Sequence, residues 1–321
     1  MKRSRISIFI LLNIIMGSQS RIITRPFTRV LHGAITRLRY WGTKVSVRGR
    51  SDADIRQFSC RTPTDIFYIV GTGGSLCDLS NADCELIESG TSICINLAIT
   101  ADIAFDLASL EYIPDPHILD AYKSNAQKHG KTAVFWFQKR SKYENAQLDA
   151  LRQQFTIHDY KRVSVSANRD LVIYERAYRK IVRPATFQKP DFNMSFANVG
   201  SIARTTLLGL GLGYRRICYA GVDLNSNPYF WTSSPQPRCG KTFEDKSGYY
   251  NYAPRAGLRQ AGESVLDSIP KVPNFYDFLH ILNSDAGTPE IEFSTLDPNG
   301  RSSLTKFLNS EITSKKTGSM V

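Results

Sequence analysis

The first fifty residues contain no Asp or Glu, while eleven Lys or Arg give them a charge of +11. The whole chain carries +12, so the rest of it, with 30 basic and 29 acidic side chains, is nearly neutral. A neutral body lacks the basic groove that duplex or single-strand binding requires, and no nucleic-acid partner is expected. The six cysteines (Cys60, Cys77, Cys84, Cys94, Cys218, Cys239) form no CxxC pair and no Cys/His grouping at zinc spacing, which leaves no expected metal site. They read as free thiols in a reducing compartment. No internal repeat is present, and the longest early apolar run, Ile6 to Met16, is short. As a helix it would span about 16 Å of a roughly 30 Å hydrocarbon core, so a transmembrane helix is excluded there.

What the N-terminus does contain is a charged start, that apolar run and Gly17-Ser18-Gln19-Ser20, the three-part form of a cleavable secretory signal. Beyond it, Ile23, Phe27, Val30, Leu31, Ala34, Ile35, Leu38 and Trp41 recur at three- and four-residue intervals, with Arg25, Arg29 and Arg39 largely opposite. A basic amphipathic helix over 23–41 suits an anionic membrane surface. A transit peptide, or a helix packed on the body, are the alternatives. Residues 43–64 have no sustained apolar period and read as a linker, residues 65–310 as the folded domain and 311–321 as a polar tail. The expected location is cytoplasmic and peripheral to a membrane.

With 42% hydrophobic residues in 321, the chain can bury a sizeable core. Its centre is Asp65-Ile66-Phe67-Tyr68-Ile69-Val70-Gly71-Thr72-Gly73-Gly74-Ser75-Leu76. Five apolar residues running into three glycines predict a strand buried on both faces and a tight elbow. Glycines there admit positive φ and let a phosphate or sugar approach the backbone, although a turn that binds nothing also favours them. Ser75 is placed to cap a helical turn from Leu76 to Leu79.

Helical stretches and strands then alternate, which predicts an α/β fold: a Rossmann-like, mostly parallel sheet with helices on both faces. Strands are expected at Ser92–Ile95, Ile103–Glu111, Thr132–Phe137, Val163–Val165, Leu171–Tyr174, Arg216–Ala220 and Ile291–Ser294. Helices are expected at Ala82–Ile87, Leu119–His129, Lys142–Gln154, Ile202–Leu212, Val265–Ile269 and Phe275–Leu282. Asn96, at the end of a strand, is either a ligand-crevice residue or a turn former. Residues 226–255, dense in Tyr, Pro, Ser and Gly, read as a long functional loop or lid.

The order Ile69-Val70-Gly71-Thr72-Gly73-Gly74-Ser75-Leu76, Ile93-Cys94-Ile95-Asn96, Gly200-Ser201, then Ile217-Cys218-Tyr219-Ala220-Gly221-Val222-Asp223-Leu224 resembles bacterial sialyltransferases of glycosyltransferase family 42. It is similar also to the superfamily that includes archaeal 6-hydroxymethylpterin diphosphokinases. The resemblance covers roughly residues 65–305. It implies a CMP-linked sugar as donor substrate, a glycan or glycolipid acceptor and no metal or other cofactor. Gly71, Thr72, Gly73, Gly74, Ser75 and Asn96 would hold nucleotide and donor sugar, with Ser201, Gly221 and Asp223 on the far wall. Tyr229 would hold the leaving phosphate, with Tyr249, Tyr250 and Tyr252 as alternatives, since a phenol donates a hydrogen bond to developing charge. For the general base the candidates are His280, Asp223 and Glu111. A Mg²⁺-dependent diphosphokinase and a non-catalytic nucleotide- or sugar-binding protein are the competing functions.

Overall fold

The computed structural model describes residues 53–111, 116–138, 145–164, 171–197, 200–224 and 275–312, together with Ala34 and Leu38, which are helical and exposed. Eight strands are formed: β1 (Ile66–Val70), β2 (Thr91–Ile95), β3 (Leu107–Leu110), β4 (Val134–Gln138), β5 (Ile157–Ser164), β6 (Met194–Ala197), β7 (Arg216–Ala220) and β8 (Glu292–Leu296). They join in one sheet in the order β6-β5-β4-β3-β2-β1-β7-β8, every pairing parallel. The helices are α1 (Asn81–Ser89), α2 (Pro116–His129), α3 (Asn145–Arg152), α4 (Leu171–Ala177), α5 (Gly200–Gly211), α6 (Phe275–Ser284) and α7 (Ser303–Phe307). The protein is an α/β protein of Rossmann-like architecture.

The apolar run of β1 follows from its place. It pairs with β2 on one side and β7 on the other, and Phe67, Tyr68, Ile69 and Val70 are all buried. Alternate side chains serve two layers. Tyr68 and Val70 join Cys84 and Ile87 of α1, Tyr122 of α2 and Phe155 after α3. Phe67 and Ile69 join Ala203 and Leu208 of α5 and Phe278 and Leu279 of α6. From β1 to β6 the chain steps outward in one direction. It then crosses back through α5 to add β7 on the other side of β1. The point of reversal lies between β1 and β7, where open α/β sheets bind ligands beyond the carboxyl ends of the strands.

One connection breaks the handedness rule. The β5–β6 crossover advances in the same direction as the four before it, but its buried residues, Tyr174, Tyr178 and Ile181, belong to the α5 layer rather than the α1 layer. Same direction and opposite face means opposite hand, against the strong right-handed preference of such units.

Several local expectations are corrected. Leu171–Tyr174 is not a strand but the first turn of α4. The apolar positions Tyr174, Ala177, Tyr178 and Ile181 recur at helical spacing and are buried together. The third strand is shorter than expected: Ile103 and Phe105 pack beneath the sheet without joining it, and pairing begins at Leu107. β5 is longer, starting at Ile157, and β6 was not foreseen. The segment read as a linker contributes to the core, because Ile55, on the helical turn Ala53–Arg56, is fully buried and Phe58 and Cys60 pack beside it. Helix α1 is started by Ser80, whose hydroxyl accepts from Asp83 N while the Asp83 carboxylate accepts from Ser80 N, a reciprocal cap. The Val265–Ile269 helix, the 226–255 lid and the 313–321 portion of the tail lie outside the described residues. So, apart from Ala34 and Leu38, does the 23–41 helix.

Candidate functional site

The carboxyl ends of β1 and β7 lie side by side, and the two glycine turns that follow them pack against each other. Gly71 N donates to Ala220 O at 2.8 Å and Gly73 N to Gly221 O at 2.7 Å. A Cβ on Gly71 would run into Gly221 O and sit 2.9 Å from Val222 Cγ2. One on Gly73 would lie 2.5 Å from Asp223 Cγ and 2.8 Å from each carboxylate oxygen. Gly221 adopts φ +61° and faces Gly71 O. These three glycines make room for the protein's own second turn, so a ligand is not needed to account for them.

Ser75 does not cap the helical turn Gly74–Asp78. The capping position is Gly73, which has no side chain to offer. Ser75 instead turns both its donors on Asp223: its N–H reaches Oδ2 at 3.1 Å and its hydroxyl donates to Oδ1. Asp223, 5% exposed, therefore presents its carboxylate to the elbow's own donors. Asp223 is also held from behind. Its backbone O accepts from Ser303 N at 2.9 Å, and Ser302 Oγ donates to Val222 O at 2.8 Å. Leu224, next in the chain, has φ +53°, a conformation that costs a branched side chain energy and marks a site held in place by its surroundings. Thr72 and Gly73 remain half-buried at the mouth of this elbow, and Gly74 is buried below it.

A second group forms beyond β2 and β3. Asn96 also has positive φ (+50°), and its Oδ1 accepts from Glu111 N at 3.2 Å. The Glu111 carboxylate accepts from Ser201 Oγ and from Arg204 Nη2, and Arg204 Nη2 also reaches Ser201 Oγ at 3.0 Å. Ser201 opens α5, so Glu111 faces the positive end of a twelve-residue helix, an electrostatically favourable place for a carboxylate. Arg204 is only 1% exposed. Burial pushes its guanidinium down to about 10, and its Nε has no acceptor among the described residues. Sequence reasoning missed Arg204. The signal available was a single charge inside the apolar stretch Ile202–Leu212.

The structure thus brings Gly71, Thr72, Gly73, Gly74, Ser75, Gly221 and Asp223 into one group and Asn96, Glu111 and Ser201 into another, on neighbouring strand ends. His280 joins neither. It sits on α6, its ring edge-on to Phe307 at 5.1 Å, at the far end of α7 from Asp223. Tyr229, Tyr249, Tyr250 and Tyr252 lie outside the described residues. Among the described residues no group of three or more His, Cys, Asp or Glu is arranged to hold a metal ion, and no helix is long and apolar enough to cross a membrane. A cavity of about 30 Å³ beside Trp136, Thr186, Phe192, Ser195 and Arg204 has room for water and not for a nucleotide.

Chemically, the two groups offer carboxylates that accept hydrogen bonds from hydroxyls, backbone N–H groups at the elbow, and a buried guanidinium behind Glu111. No family model matches the chain, and no curated protein or solved structure is significantly similar to it.

Proposed function

We propose that the protein is a glycosyltransferase of sialyltransferase-like type, transferring a sugar from a CMP-linked donor to a glycan or glycolipid without a metal. The observation that supports this reading is the place of Asp223, Asn96, Glu111 and Ser201 at strand ends beside the sheet's point of reversal, where open α/β sheets bind ligands. In this reading the sugar and ribose hydroxyls donate to Asp223 and Glu111. One of the two carboxylates takes the acceptor proton, and a tyrosine of the 226–255 segment donates to the leaving phosphate. Residues 23–41 hold the protein at the cytoplasmic face of an anionic membrane, near a lipid-linked acceptor.

Two contacts favour a second reading, a nucleotide- or sugar-binding protein without turnover. Asp223 is already engaged by Ser75, and Glu111 by Ser201 and Arg204. Thermal unfolding of the full chain with CMP, CDP, UDP, GDP and ATP, with and without Mg²⁺, separates the possibilities. Ligand at about 100 times its Kd adds roughly 2.7 kcal/mol of stability. A metal-independent shift with CMP, followed by hydrolysis of a CMP-linked sugar, is the expected result. A shift without hydrolysis supports the binding protein. A Mg²⁺-dependent shift with ATP moves the assignment to the diphosphokinase-like class, and no shift with any nucleotide overturns the nucleotide site altogether.

A further inference from the structure

Between β5 and β6 the chain runs through α4 and two π turns, Tyr178–Val182 and Pro184–Gln188. The inner side of this helical stretch is buried through Tyr174, Ala177, Tyr178, Ile181, Val182 and Thr186. Its outer side is different. Leu171 and Val172 are 47% and 42% exposed, and Arg176, Arg179, Lys180 and Lys189 are exposed as well. Val172, Arg176 and Lys180 follow at four-residue spacing and form one stripe. The acid on this stretch, Glu175, pairs with Arg179 at 2.6 Å, and Arg179 Nε lies 3.9 Å from Asp285. Arg176, Lys180 and Lys189 leave the face positive.

The place of this face matters. Arg56, in the helical turn at which the described body begins, donates from Nη2 to Pro190 O at 3.4 Å and lies over the Phe192 ring at 5.3 Å. The described body thus begins beside the end of the basic helix, and the fifty residues carrying +11 precede it in the chain. That segment and the stripe both carry positive charge, which an anionic surface complements. At its other end the helix follows the carboxyl end of β5 and returns toward the amino end of β6, so Leu171 and Val172 come at the start of the crossover, on the carboxyl side of β5.

The geometry points to a second membrane contact: the outer face of 171–189 lies on anionic lipid, with Leu171 and Val172 in the interfacial layer and Arg176, Lys180 and Lys189 on the headgroups. This inference rests on the proposed seat of the protein at an anionic membrane surface. It adds the orientation of the body, with the α4 end of the sheet brought to the lipid.

The test uses the full chain with Cys60→Ser and Cys239→Ser, carrying an environment-sensitive fluorophore on a single Leu171→Cys or Leu86→Cys. Leu86 is 50% exposed on α1, in the opposite layer. With phosphatidylcholine vesicles containing phosphatidylglycerol, the emission should shift to the blue at position 171 and stay unchanged at 86, and neither should change with phosphatidylcholine alone. Arg176→Gln with Lys180→Gln should weaken vesicle partition about 25-fold, roughly fivefold for each charge near the surface.

Vesicle binding with no change at 171, or with equal changes at both positions, overturns the helix contact and leaves the 23–41 reading standing. Binding that persists through position 171 after Arg25, Arg29, Arg37 and Arg39 are changed to Gln overturns the 23–41 reading and sustains this one. Failure to bind anionic vesicles at all overturns both. An oligonucleotide captured in their place, and lost in the Arg176/Lys180 double variant, reassigns the face to nucleic acid.

Discussion

Crowding between Gly73 and Asp223 makes a quantitative prediction. A methyl group at residue 73 would lie 2.5 Å from Asp223 Cγ and 2.8 Å from both oxygens, far inside ordinary contact distance. Gly73→Ala must push the carboxylate off Ser75, and overpacking of this kind costs about 1–3 kcal/mol. Asp223→Ala alone removes two hydrogen bonds to a charged acceptor and should cost on the order of 3–6 kcal/mol, at about 1.5–3 for each. In the double variant the clash has no second partner, so the combined loss should fall short of the sum by about 1–3 kcal/mol. Scanning calorimetry or thermal circular dichroism reads this directly, since 1 kcal/mol moves Tm by roughly 2–4 °C in a domain of 150–250 residues. Gly71→Ala is the internal control. Its obstacle is the Gly221 backbone, so Asp223→Ala should give it no relief. Additivity of Gly73→Ala and Asp223→Ala within about 0.5 kcal/mol would refute the packing of the two turns described above.

Two further outcomes follow from the buried charges. Arg204→Met leaves Glu111 without its guanidinium partner and should cost about 3 kcal/mol, the low end for breaking a buried pair because the Glu111 side chain keeps 20% exposure. Adding Glu111→Gln should recover part of that loss, and a neutral Arg204→Met in a melting experiment would refute the pairing. In the connection between β2 and β3, burial works to raise the Asp102 carboxyl, but hydrogen bonds from Lys128 and His129 outweigh it and hold the group below the usual carboxylate range. A lowered folded-state value stabilises above the unfolded value of about 3.9 and is lost as pH falls through the folded one. Asp102→Asn should therefore destabilise clearly near pH 6 and much less near pH 2. An equal penalty at both pH values would sink that assignment.

The strands near the centre were legible because burial on both faces leaves an unmistakable mark: Ile66–Val70, Ile93–Ile95 and Ile217–Ala220 are apolar runs ended by Gly or Asn. The edge was not. Met194–Ala197 pairs on one side only and is short, so nothing in its composition separates it from a loop. Leu171-Val172-Ile173-Tyr174 has strand-like composition, and its helical period shows only when the window extends to Ile181. At the site, the glycines of the elbow stood out, but their reason did not. What they accommodate, Gly221 and Asp223, lies about 150 residues further along the chain, and only folding brings it within reach. Arg204 was hidden for a different reason, since an arginine in a helix is normally solvated and its burial depends on Glu111, beyond the end of β3 and more than ninety residues earlier in the chain.

That separation also bears on how the chain is made. β1 can pair with β2 as soon as both have left the ribosome, but its other edge waits for β7. Ser75 and Asp223 are 148 residues apart, and at about 5–20 residues per second that interval lasts roughly 7–30 s. Throughout it, β1 is an unpaired, strongly apolar edge, the kind of surface that recruits other chains. The elbow is therefore among the last parts of the molecule to be completed. Protection of that edge during synthesis, rather than the stability of the finished sheet, should limit the yield of folded protein.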